Sequence, residues 1–205
     1  MLDAAVPILK EIYRRFPRGG ADLETICQIV TGVTHIDRVH YTRFDVPRTN
    51  PIWGSFRRFE QQDAPYAGNV TVVHVRYAQH LTEDERVFIV SKELCHSLEE
   101  VDGAHAVTDS AVDDLVAAFS LWSSAKANLV PNLTAFNLEL LAMIVATEMV
   151  CPIRHRRAVM EGAGDDPDWQ ALGAQLKVPE PYLRAVCDLS QLASIERVLK
   201  DYGAL

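Results

Sequence analysis

The sequence predicts an α+β fold with a small antiparallel sheet. Both ends carry apolar residues at helical spacing, and the stretch between about residues 39 and 77 alternates with period two. Two helical segments near the middle are apolar enough to form a shared core. At 205 residues the chain can bury one core and still carry a small helical appendage. Its 48% apolar and 23% charged residues are ordinary for a soluble globular protein. A net charge of -8 argues against tight non-specific nucleic-acid binding by the surface as a whole, while leaving room for a local basic patch. Cys27, Cys95, Cys151 and Cys187 lack paired spacing, which favours reduced thiols and a cytoplasmic setting. No basic-then-apolar leader opens the chain. The most apolar run, 138–151, is interrupted by Glu139 and Glu148 and is too short to span a bilayer, so no membrane partner is expected.

Taken in order, residues 2–16 place Leu2, Val6, Leu9, Ile12, Tyr13 and Phe16 at helical intervals, and Pro17-Arg18-Gly19-Gly20 stops that helix. Asp22 can cap a second helix reaching about Val33. Val39, Tyr41 and Arg43 then alternate with His40, Thr42 and Phe44, and 53–59 and 70–77 are also strand-like, with turns at 47–51 and 63–68. Thr82 with Glu85 forms a capping-box start for a helix to about Leu98. Asp109 or Ser110 can cap a helix through Leu121, and 122–128 reads as loop. Pro131-Asn132 opens a helix over 133–150, which Cys151-Pro152 ends. Within the cluster Arg154-His155-Arg156-Arg157, His155 reads as a solvated helix-end or loop residue, and 161–168 as a linker. Helices follow at 169–177, 180–188 and 194–202. The expected organisation is a main domain over 1–160, with 161–205 packed on it as a helical extension.

The chemistry concentrates at Lys92-Glu93-Leu94-Cys95-His96. In a zinc peptidase, H-E-x-x-H places two histidines one helical turn apart on the metal, with the glutamate as general base. Here Glu93 and His96 stand in place, but Lys92 holds the first ligand position. An ammonium has no lone pair for a metal, and its charge repels one. Residues 92 and 96 share a helix face. Glu139 is a lone charge among Leu138, Leu140, Leu141, Ala142, Met143, Ile144 and Val145. A buried carboxylate left unpartnered is costly, so Glu139 should be paired, metal-bound or protonated, which gives it a reason to face Lys92 and His96.

Residues 86–98 and 139–152 together resemble the zincin-like ImmA/IrrE-type metallopeptidase family. The first matches its R-x-x-F-x-x-A-H-E-x-x-H helix at Phe88, Glu93 and His96, and the second matches its E-x-x-A helix at Glu139, Ala142 and the closing Pro152. The strands before them and the Leu176-Lys177-Val178-Pro179 turn extend the likeness to roughly residues 35–190. The resemblance implies a zincin-like helical core, with Glu93 as general base, His96 as second zinc ligand and Glu139 as acidic third ligand. Lys92 departs from the pattern, as does Met143 where the family often has Asn, and the stretch between His96 and Glu139 is longer than usual.

Two functions follow from the resemblance. The favoured one is a non-catalytic regulatory or protein-interaction domain without a cofactor, in a prophage or stress-response setting, with Lys92 as electrostatic substitute for the metal. The alternative is an active zinc peptidase that recruits a ligand from Cys95, His74, His80 or His105, with Glu93 deprotonating a zinc-bound water. The sequence identifies neither the protein partner nor the peptide substrate.

Other candidates have simpler readings. His35, His40 and His74 lie in or near strands and read as surface or structural groups. Arg154, Arg156 and Arg157 could meet an acidic partner, although basic groups after a helix C-terminus are favourable anyway. Cys95 reads as a buried small thiol. Residues 169–188 resemble a helix-turn-helix through Ala174, Leu176, Val178 and Arg184, with Asp165, Asp166 and Glu180 as acidic neighbours opposing DNA contact.

Overall fold

The computed structural model describes residues 2–99, 134–164 and 166–205. The expected helix beginning near Asp109 or Ser110, the loop at 122–128 and His105 lie outside them. The described residues form an α+β fold of eight helices and one three-stranded sheet. No helix among them is long and apolar enough to cross a membrane.

Helix α1 (Leu2–Arg15) buries Ala5, Ile8, Leu9 and Ile12 on one stripe. Helix α2 (Leu23–Val33) starts where Asp22 accepts a hydrogen bond from the Thr25 amide at 2.8 Å. Between them Gly20 is pressed against the end of a later helix: a Cβ there would lie 1.8 Å from the Val150 carbonyl oxygen. Only the absence of a side chain allows that approach.

Strands β1 (Arg38–Phe44), β2 (Gly54–Gln62) and β3 (Asn69–Ala78) pair in the order β1-β3-β2. β2 and β3 are antiparallel, but β1 runs parallel to β3, so the sheet is mixed rather than the antiparallel one expected. The chain does not turn back on β1. Residues 45–53 instead cross the end of β3 to its far side, where Ala78 donates to the Trp53 carbonyl and Gln79 to that of Phe44. The Gln79 side chain also donates to Asp45 at 2.5 Å. Alternation within each strand cannot report which strand lies in the middle.

Helix α3 (Glu83–Ser97) opens with the capping box: Glu85 N–H donates to Thr82 Oγ1, and the Thr82 amide donates to Glu85 Oε2. It packs against the sheet and against α4 (Thr134–Val150). Beyond Pro152 the structure departs from the expected loop and linker. Residues 153–163 form α5 (Ile153–Ala163), which buries Ile153, Arg156 and Met160. Helices α6 (Trp169–Leu176), α7 (Glu180–Cys187) and α8 (Leu189–Asp201) follow, the last starting five residues earlier than read. The division expected at residue 160 falls inside α5. Leu172, Leu183, Val186 and Leu199 share one apolar core with Phe88, Ile89 and Met143.

Candidate functional site

Lys92, Glu93 and His96 lie buried along the C-terminal half of α3, His96 in its last turn, and Glu139 lies on the first half of α4. Lys92 Nζ donates to Glu139 Oε1 at 2.6 Å and lies 2.9 Å from Glu93 Oε1. The other oxygen of Glu139, Oε2, lies 2.6 Å from His96 Nε2. A carboxylate can only accept, so His96 Nε2 carries the hydrogen and donates. One carboxylate therefore joins both positions of a helical turn, and the Lys92 side chain is only 8% exposed.

The electrostatics follow the geometry. Burial alone pulls the Lys92 ammonium toward deprotonation, but Glu139 and Glu93 outweigh it and hold its pKa well above the ordinary lysine value. Burial likewise raises Glu139, while Lys92 and His96 outweigh it and keep the carboxyl well below the usual carboxylate range. Both groups are charged at neutral pH. Such a lysine is a fixed cation, not a nucleophile or a base.

Strand β2 roofs this turn of α3 with alternate residues. Gly54 lies against Glu93, where a Cβ would come within 2.8 Å of Glu93 Cγ and 2.7 Å of Ile89 Cγ2. The Phe56 ring stacks on His96 with 6.2 Å between centroids and 4° between planes. Arg58 donates to the Ser97 carbonyl at 2.8 Å, satisfying one of the open carbonyls at the helix end. Tyr182 of α7 packs on Phe88 at 5.2 Å and edge-on to Trp53 at 6.5 Å, and burial pushes its hydroxyl up to about 12. Sequence reasoning missed Gly54, Phe56 and Tyr182. An alternating Gly54-Phe56-Arg58 row signals a sheet face, yet nothing local names the helix it meets.

Among the described residues, the substitute ligands His74 and His80 are engaged elsewhere. His74 Nε2 is 2.8 Å from Thr42 Oγ1 across the sheet, and His80 Nδ1 is 3.3 Å from the Val46 carbonyl with its ring edge-on to Trp53. Cys95 is buried, and desolvation raises its thiol far from thiolate formation. His35 and His40 are exposed. Met143 sits fully in the core.

As they stand, these side chains do not fit a zinc ion. Tetrahedral zinc held by a nitrogen and an oxygen at about 2.0–2.2 Å would keep those atoms roughly 3.3 Å apart. His96 and Glu139 are instead in direct hydrogen-bond contact, and an ammonium holds the place of the first ligand. Among the described residues no group of three or more His, Cys, Asp or Glu side chains is placed to hold a metal.

The arginines of the 154–157 cluster do not form one basic surface. Arg156 is fully buried: its Nη2 donates to Glu148 Oε1 at 2.5 Å and its Nη1 to the Cys151 carbonyl at 2.7 Å. Arg157 pairs with Glu196 of α8, and Arg154 is exposed. In the segment read as a helix-turn-helix, Arg184 covers the Trp169 ring at 4.7 Å.

Comparison with protein-family models, curated proteins and solved structures returns no match for this chain.

Proposed function

We propose that the chain is a degenerate relative of the ImmA/IrrE-type metallopeptidases that serves as a non-catalytic regulatory or protein-interaction domain. What carries the reading is the Glu139 carboxylate, one oxygen on Lys92 and the other on His96. A buried acidic group facing a histidine, in a helix pair with this motif spacing, suits a former ligand set. The Lys92 ammonium supplies the positive charge that a metal would supply, without a Lewis acid's open coordination position. Glu93 is then a second counter-ion to Lys92 rather than a base beside an activated water.

Metal content tests the proposal. Elemental analysis after exhaustive dialysis should find far less than one zinc per chain. Lys92→His restores two imidazoles at i and i+4 with Glu139 available, and zinc titrated by calorimetry should bind this variant in the micromolar range but not the parent. One tightly held zinc in the parent, lost on His96→Ala, would instead overturn the metal-free reading and point to a site completed by a replacement ligand. A folded Lys92→His variant that binds no zinc would remove the link to a former metal site.

A further inference from the structure

We propose that the sheet face turned away from α3 binds single-stranded nucleic acid. The inference is independent of the metallopeptidase reading, because it uses the opposite side of the sheet. Gly54, Phe56 and Arg58 face α3, so Ser55, Arg57 and Phe59 point the other way by the alternation of a strand. The register places His40, His74 and Arg57 in one row across the three strands, with Arg76 in the next row of the same face. The chain has 28 acidic against 20 basic residues, yet no outward position of β1, β2 or β3 is a carboxylate. The strand positions of this face are basic, aromatic or neutral.

These groups are accessible. His40, Arg57 and Arg76 are exposed and His74 half-buried. Arg38, at one end of the face, is tied to Asp63, but Arg57 and Arg76 have no carboxylate partner among the described residues. Planar groups alternate with the cations. Phe59 is 44% exposed, and the Arg76 guanidinium lies over the Phe44 ring at 5.0 Å, presenting a flat cationic surface. Arg57 and Arg76, diagonal neighbours on adjacent strands about 7–8 Å apart, suit successive phosphates of a single strand, and the exposed Phe59 ring beside them offers stacking to an unpaired base. An acidic peptide would use the cations but has no need of the rings. Duplex DNA keeps its bases stacked on one another, so an exposed ring has no free base to stack on unless a base step is unstacked.

Fluorescence anisotropy of the full chain with a labelled oligouridine of about 12 nucleotides tests this. Binding should saturate and weaken with salt. Arg57→Glu with Arg76→Glu should lower affinity at least about tenfold and flatten the log–log salt slope by about 0.7 for each arginine. Phe59→Ala should lower affinity about fivefold or more while leaving that slope unchanged. Arg18→Glu, an exposed change on the loop after α1, should have little effect, and circular dichroism verifies that each variant is folded. The proposal is overturned if no binding occurs at low salt, or if the arginine changes leave it intact. It is equally overturned if Phe59→Ala has no effect and polyglutamate competes as well as the oligonucleotide, which would assign the face to an acidic protein segment.

Discussion

Helix α4 carries two buried carboxylates, and they solve the same electrostatic problem in different ways. Glu139 and Glu148 are nine residues apart, about two and a half turns, so they point to opposite sides of the helix. Glu148 is fully buried: Arg156 occupies one oxygen, and the other accepts from Tyr13 Oη at 2.7 Å and from the Ile153 amide at 2.8 Å. These bonds tie α1, α4 and the start of α5 together. Every partner of Glu148 is explained by holding those helices in place. Glu139 is less deeply covered, and its partners are a lysine and a histidine from a single turn of α3. Neither is needed to start or stop a helix. A polar cluster whose bonds start a helix or close its end reads as a staple, whereas one that spans the last two turns of α3 with motif spacing and caps no backbone group calls for another explanation.

The comparison can be broken at its stronger end first. Arg156→Met leaves the Glu148 carboxylate buried without its cation and should lower the unfolding free energy by about 3–5 kcal/mol in urea melts. Adding Glu148→Gln should restore only part of that, because the Tyr13 hydroxyl and the Ile153 amide still need an acceptor. Lys92→Met should cost about 3 kcal/mol, at the low end of the same range, since Glu139 keeps His96 and some access to water. Combined with Glu139→Leu, most of the loss should return. A Lys92→Met variant that melts like the parent would mean that the ammonium contributes nothing to the fold.

Smaller effects sharpen the contrast. Tyr13→Phe removes one hydrogen bond to a charged acceptor and should cost about 1.5 kcal/mol. The acid limb of a stability profile reports on Glu139. Its folded pKa is depressed, so its contribution is complete above the ordinary carboxyl value of about 4.3 and is lost as pH falls toward the lower folded value. The unfolded chain takes up the proton first, which favours unfolding in acid. Unfolding free energies measured between neutral pH and strong acid should therefore fall less steeply below about pH 4.3 in Lys92→Met/Glu139→Leu than in the parent. Equal slopes would remove Glu139 from the acid response.

Local chemistry was legible in the sequence wherever a few neighbouring residues decide the outcome. Asp22 and the Thr82–Glu85 box cap their helices because each bond closes within three residues. The shared face of Lys92 and His96 follows from helical pitch. Glu139 could be set opposite them by a physical argument, since a charge on so apolar a helix needs a counter-ion. Helix α5 escaped because nothing local shows that Arg156 is received by Glu148, a buried carboxylate on the preceding helix. Tyr182 escaped because contact between α3 and α7 joins residues far apart in the chain.

The order of the strands and the distribution of charge were decided only in three dimensions. Period two tells which residues of a strand share a side, but whether β1 lies beside β2 or beyond β3 depends on the path of residues 45–53. That path aligns His40 with His74 and Arg57 on one face. A net charge is a sum that carries no positions, so an acidic chain can still present a sheet face whose strand positions hold no carboxylate. The side-chain types come from the sequence. Their meeting in one place depends on long-range strand pairing, whose register is set by which faces can be buried.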